Sequence, residues 1–234
     1  MSQGYLFPFS TCEVPQQHSW IAQPYSLVVN VVSVVVILYF LTQARRVSTR
    51  LVLISILLFE AWHAFSHAVH IPGKMQINVI HLLAYAVNLG YLYFLYDISK
   101  KFPDRWILVT MVLIVMLDIY AFCNLPFLYY FVSQLVLFLV ILAAYREILP
   151  GSYLAVLVAL VILLVLLFLN ESKHCGAMMR YAKFPYHAII ESVGVLIFIV
   201  IGSMFLIMEK SRIAPRMGAC TPHTFPYAPD PLSV

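Results

Sequence analysis

Seven apolar runs, at about 25–43, 51–70, 77–96, 106–123, 127–145, 152–170 and 186–208, fill most of the 234-residue chain, with short polar stretches between them. Each approaches the ~20 residues that a helix needs to cross a ~30 Å hydrocarbon core. The pattern predicts an all-α fold, a seven-transmembrane helix bundle over residues 1–216. Residues 217–234, rich in proline and small polar residues, read as a disordered tail.

Composition supports that reading. Hydrophobic residues make up 63% of the chain and charged residues 10%, with a mean hydropathy of +0.92, where soluble domains carry about 25% charge. No stretch is left for a soluble domain. The first 22 residues have no basic segment followed by a short apolar core and cleavage site, so no removable signal peptide is expected and the first span serves as signal-anchor.

The net charge of +4 comes from clusters in alternate loops: Arg45, Arg46 and Arg50; Lys100, Lys101 and Arg105; Arg146; Lys210, Arg212 and Arg216. The opposite loops hold Lys74, Lys173, Arg180 and Lys183. The positive-inside rule then puts the N-terminus in the lumen or outside the cell and the C-terminus in the cytosol. No basic face with interleaved aromatics is available to track a phosphate backbone, which argues against a nucleic-acid partner. On this topology Cys12, Cys123 and Cys175 lie on the oxidising side, where a Cys12–Cys175 bridge is one open pairing, and Cys220 stays reduced.

Ionisable residues inside these spans are costly and mark candidate sites. In the second span Glu60, His63, His67 and His70 fall at offsets 0, 3, 7 and 10, one stripe of a helix, and Ser66 can reach the centre that His70 faces. In the seventh, His187 and Glu191 stand four residues apart, a spacing that lets one helix grip one ion. His81 opens the third span. Any one such histidine can serve as an interhelical hydrogen-bond contact. Convergence of several helices at one depth, with histidine and carboxylate donors, points instead to a zinc site. Glu60, His63 and His67, deeper in the span, are candidates for a supporting shell. Asn88 and Asp118 read as structural, and Glu171 and His174 as solvated loop residues.

These residues resemble the alkaline ceramidase family, within the seven-span hydrolases that include the adiponectin receptors. The stretch TCEVPQQHSWIAQPYSLVVNVVS is similar to the family's entry into span one. Ser66-x-x-x-His70, followed eleven residues later by His81, matches the spacing of its Ser-x-x-x-His and following Asp. His187-Ala-Ile-Ile-Glu191 falls where the family has His-Ala-x-x-His. The resemblance implies a zinc-dependent hydrolase that cleaves a long-chain N-acyl sphingolipid, ceramide to sphingoid base and fatty acid, in the endoplasmic reticulum, Golgi or plasma membrane.

It also implies roles. His70, His187 and Glu191 would hold Zn²⁺, Ser66 would support the oxyanion or the water, and His81 would be a fourth ligand or the proton shuttle. The family pairs the cysteines that correspond to Cys12 and Cys175. Two exchanges stand out, Glu191 for the third zinc histidine and His81 for the Asp, so the carboxylate has crossed the site. Of the family's calcium site Glu13 is matched, with Gln23 in place of a Glu, which weakens the case for calcium control. Two other classes compete. A di-iron lipid hydroxylase or desaturase fits the close histidines of span two, and a lipid-binding or receptor-like protein with a structural metal, or a metal-conducting bundle, fits the polar pocket.

Overall fold

The computed structural model describes residues 12–13, 20–69, 73–98, 104–124, 128–181 and 185–213. His70, Lys100, Lys101, Cys220 and the expected tail lie outside them. The described residues form helices and no strand: α1 Pro24–Gln43, α2 Val47–Ala68, α3 Gly73–Ile98, α4 Asp104–Asn124, α5 Leu128–Tyr145, α6 Gly151–Tyr181 and α7 Tyr186–Ile213. Among the described residues, five helices (α1, α2, α3, α6 and α7) are long and apolar enough to cross a bilayer, which makes this a membrane protein. The apolar parts of α4 and α5 described here are shorter, Val112–Ala121 and Val132–Ala143.

Local chemistry sets the helix ends. Pro24 opens α1, where its missing N–H costs nothing. The Glu13 carboxylate accepts from the backbone N–H groups of Tyr25 (2.9 Å) and Ser26 (2.9 Å), two donors that an α-helix cannot satisfy internally at its start. The three residues between α1 and α2 are held by Glu209 from α7, whose Oε1 accepts from the N–H groups of Arg45 (2.7 Å) and Arg46 (3.2 Å).

One expectation is corrected. The apolar run that ends near 170 does not end its helix: α6 has 31 residues, about 46 Å at 1.5 Å per residue. Glu171, His174 and Cys175 therefore sit on a helix and not in a loop. His174 is exposed, as expected of a solvated residue, but Glu171 is buried.

In hydrocarbon, helices associate by close packing and polar contacts, with no water to expel. The core lies among α2, α3, α5 and α7, around Phe94, Leu137, Ile141, Met204, Phe205 and Met208. Two glycines permit close approach. A Cβ on Gly90 would lie 2.8 Å from Ser55 Oγ and 3.2 Å from the Val52 backbone, so α3 seats directly on α2. A Cβ on Gly202 would collide with the Phe40 ring, so α7 seats on α1. Helix α1 packs against both α2 and α7, and this holds the end of α2 beside the start of α7.

Candidate metal centre

At that junction the last two turns of α2 present His63 and His67, and the first two turns of α7 present His187 and Glu191. Each pair is four residues apart, so each projects from one face of its helix. One donor atom from each of the four falls within 4.8 Å of every other. Glu191 Oε1 is the focus: it lies 2.9 Å from His67 Nε2, 3.1 Å from His187 Nε2 and 3.7 Å from His63 Nε2. The side chains of His67, His187 and Glu191 are buried, and that of His63 is 12% exposed.

The outer faces of the rings are also partnered. His63 Nδ1 lies 3.7 Å from Glu60 Oε2, His67 Nδ1 lies 2.6 Å from Gln23 Oε1, and His187 Nδ1 lies 3.0 and 3.1 Å from the two oxygens of Glu171. These contacts fix two tautomers. Gln23 Nε2 donates to the Glu13 carbonyl at 2.8 Å, so its Oε1 faces His67 and can only accept; His67 Nδ1 carries the proton. The Glu171 carboxylate is likewise an acceptor, so His187 Nδ1 carries the proton. In the neutral ring both inward Nε2 atoms then present lone pairs to a carboxylate oxygen.

Acceptors that face one another at about 3 Å repel unless a proton or a metal ion lies between them. In accord with this, His187 Nε2 and both Glu191 oxygens are buried without a hydrogen bond of acceptable geometry. His63 Nε2, 3.1 Å from His67 Nε2, is a neighbour that can supply a proton to that ring. Outward Nδ1–H bonds to a carboxylate or amide with inward Nε2 are the habit of metal-ligating histidines. The donor set of imidazoles and a carboxylate suits zinc, with His₂Glu a known catalytic combination.

The structure distributes the residues singled out in the sequence as follows. His187 and Glu191 meet as the i, i+4 pair predicts. His63 and His67, read as a supporting shell, supply donors to the cluster itself, while Glu60 keeps a supporting place behind His63. His81 is buried on α3 and is not one of the four donors. Ser66 is buried, and its hydroxyl donates to the His63 carbonyl of its own helix at 2.7 Å. His70 lies outside the described residues.

Among the described residues, His63 and His67, also four apart, are the α2 side chains that meet His187 and Glu191 of α7. Cys12 and Cys175 are joined as a disulfide with their Cα atoms 5.4 Å apart. Sequence reading missed Glu171 and the role of Gln23. The available signal for Glu171 was the absence of proline between the apolar run and Tyr181, which lets the helix continue. Asn88 does have structural partners: its Nδ2 donates to both Asp118 oxygens at 3.0 Å and to Ser133 Oγ at 2.8 Å.

The chain matches no protein-family model, no curated protein and no solved structure. Fold and site together define a helical membrane protein with a buried His₃Glu cluster that could hold a metal ion.

Proposed function

We propose that this protein is an intramembrane zinc hydrolase of the alkaline ceramidase type, cleaving the amide of a long-chain N-acyl sphingolipid. The observation that carries the reading is the convergence of His67 Nε2, His187 Nε2 and Glu191 Oε1 on one point, with outer partners that turn both ring lone pairs inward. Zinc at such a point supplies a Lewis acid for the amide carbonyl and lowers the pKa of water.

The chain's own residues then divide the work. His67, His187 and Glu191 would hold the zinc, a His₂Glu set of the kind found in catalytic sites. His63 is the farthest of the histidines from Glu191 and the least buried, and it is backed by Glu60. Its role in this reading is to carry a proton between water and leaving amine. This gives His63 the shuttle role that the family resemblance offered to His81. Val28, Val29 and Val32 of α1 and Ser192 and Val195 of α7 line one largely apolar groove, which begins next to Glu191 in the sequence and offers a surface for an acyl chain.

The seven-span topology, with the cluster and the disulfide on the oxidising side and the C-terminus in the cytosol, belongs to the same proposal. It is supported by the grouping of Arg45, Arg46 and Glu209 at the other end of the bundle. A second reading has its own support: four donors are also the count of a closed structural zinc site, which would suit a lipid-binding, non-catalytic protein. The test is fatty-acid release from a panel of ceramides by purified, zinc-loaded protein, compared with His63→Ala and Glu191→Ala. Release by wild type that both substitutions abolish supports the hydrolase. Stoichiometric zinc with no release from any ceramide favours the closed, lipid-binding site.

A further inference from the structure

The two histidines deepest in the cluster are oriented from outside by one short piece of chain. Cys12 donates its backbone N–H to Glu171 Oε1 at 2.8 Å, and the same carboxylate holds His187 Nδ1. The next residue, Glu13, offers its carbonyl to Gln23 Nε2 at 2.8 Å, and the oxygen of that amide holds His67 Nδ1. Cys12–Glu13 therefore feeds two hydrogen-bond relays that end on two different rings, one on α2 and one on α7.

That piece of chain is fastened beside the site. Cys175 stands four residues after Glu171 on α6, hence on the same face, and it holds Cys12 through the disulfide. Glu171 holds Cys12 through its N–H. Disulfide, helix turn and hydrogen bond close a small ring around the carboxylate that orients His187. On the other side, Glu13 is anchored by the N–H groups of Tyr25 and Ser26, and Gln23 is tied to the end of α2 by its own N–H on the His67 carbonyl at 2.9 Å. Glu13, Gln23 and Glu171 are all buried, so water does not readily replace these contacts.

We propose that the disulfide-held Cys12–Glu13 segment is the positioning element of the metal centre, acting through Glu171 on His187 and through Gln23 on His67 to set its affinity for metal. The proposal rests on the reading of the cluster as a zinc site. Outer partners of ligating histidines typically account for 10- to 100-fold in metal affinity. Opening the bridge releases Cys12 from α6 and loosens both relays at once. A phosphine reductant does this in balance: the S–S bond gains two electrons and two protons to give two thiols, and the phosphine takes the oxygen of one water to become its oxide.

The experiment uses the full-length protein in detergent. Zinc Kd is measured by competition with a fluorescent chelator, and the visible spectrum of the cobalt-substituted protein reports ligand geometry. Glu171→Leu and Cys175→Ser are each expected to weaken zinc binding about 10- to 100-fold and to shift the cobalt bands, as is phosphine reduction of wild type. Glu171→Gln, which keeps an acceptor opposite His187 Nδ1, should recover most of the loss. Glu209→Gln, at the far end of α7, should leave both readouts unchanged. A change in stability alone would not move the cobalt bands, and if Glu171→Leu fails to fold, Cys175→Ser and reduction carry the test. Tight zinc binding with identical Kd and spectra in wild type, Cys175→Ser and reduced protein would overturn this proposal alone. Absence of zinc binding by oxidised wild type would overturn the metal reading, and this proposal with it.

Discussion

Helix α7 buries two glutamates, Glu191 near its start and Glu209 near its end. They are eighteen residues apart, five turns of an α-helix, so they share a face and stand about 27 Å apart along the axis. Residue type, helix and face are the same, yet the surroundings differ in kind. Glu209 Oε1 meets the backbone N–H groups of Arg45 and Arg46, donors at the start of α2 that lack intrahelical partners. Glu191 Oε1 meets imidazole nitrogens whose ring protons are held on the opposite side by Gln23 and Glu171. Glu209 Oε1 faces backbone protons, although its Oε2 is buried without a hydrogen bond. Both Glu191 oxygens lack one, and Oε1 faces ring nitrogens that could hold a metal ion with it.

The comparison separates a structural polar group from a candidate site without reference to how polar or how buried either one is. Both glutamates are buried. The deciding quantity is which side of the neighbouring groups, proton or lone pair, is turned toward the carboxylate. Asn88 and Asp118 belong with Glu209 by this test, because Asn88 gives its amide protons to the Asp118 carboxylate.

The largest effect that could break the comparison is on metal content. Glu191→Ala and His187→Ala are each expected to lower bound zinc from one per chain to well under a tenth, measured by elemental analysis after gel filtration in detergent. Glu209→Leu, which removes the acceptor, should instead keep its zinc and lose stability, by about 1–3 kcal/mol for buried backbone donors left poorly paired, read as a lower unfolding midpoint. Metal loss in the Glu209 variant would erase the distinction between the two ends.

A second expected outcome concerns the packing that brings α2 and α7 together. Gly202→Ala puts a methyl into the Phe40 ring, and overpacking of this sort costs about 1–3 kcal/mol. Its thermal midpoint should fall while zinc stoichiometry at low temperature stays at one. The smallest effects are predicted for His81→Ala, with zinc retained because His81 is not among the four donors, and for Ser66→Ala, whose lost bond is to its own helix. Loss of zinc in the His81 variant would restore the ligand set suggested by the family resemblance.

Much of the architecture was legible in the sequence because apolar run length reports directly on helices in a bilayer. The runs at about 25–43 and 127–145 reappear as α1 and α5 almost residue for residue. The end of α6 was not legible, since Glu171, Ser172, Lys173 and His174 are polar and polarity marks the end of a hydrocarbon span, not the end of a helix. For the site, i, i+4 spacing identified His187 and Glu191. The stripe in α2 could not be resolved further, because Glu60, His63, His67 and His70 share one face, and which turn meets α7 depends on how far α2 slides along its neighbours. That offset is set by contacts such as Gly90 on Val52 and Gln23 on His67, which pair residues distant in sequence. Gln23 stood out as a departure from a family pattern, and its role became visible with the hydrogen bond that turns the His67 ring.

The central claim is that His67, His187 and Glu191, with His63 beside them, form one metal site. Its most direct test is X-ray absorption at the zinc edge on purified full-length protein, with elemental analysis of the same sample. The account predicts one zinc per chain, bound by nitrogen and oxygen with about two imidazoles in the shell and no sulfur, and its loss in a His67→Ala, Glu191→Ala double variant that still folds. A double variant that keeps its full complement of zinc, or a wild type that binds none, would contradict it.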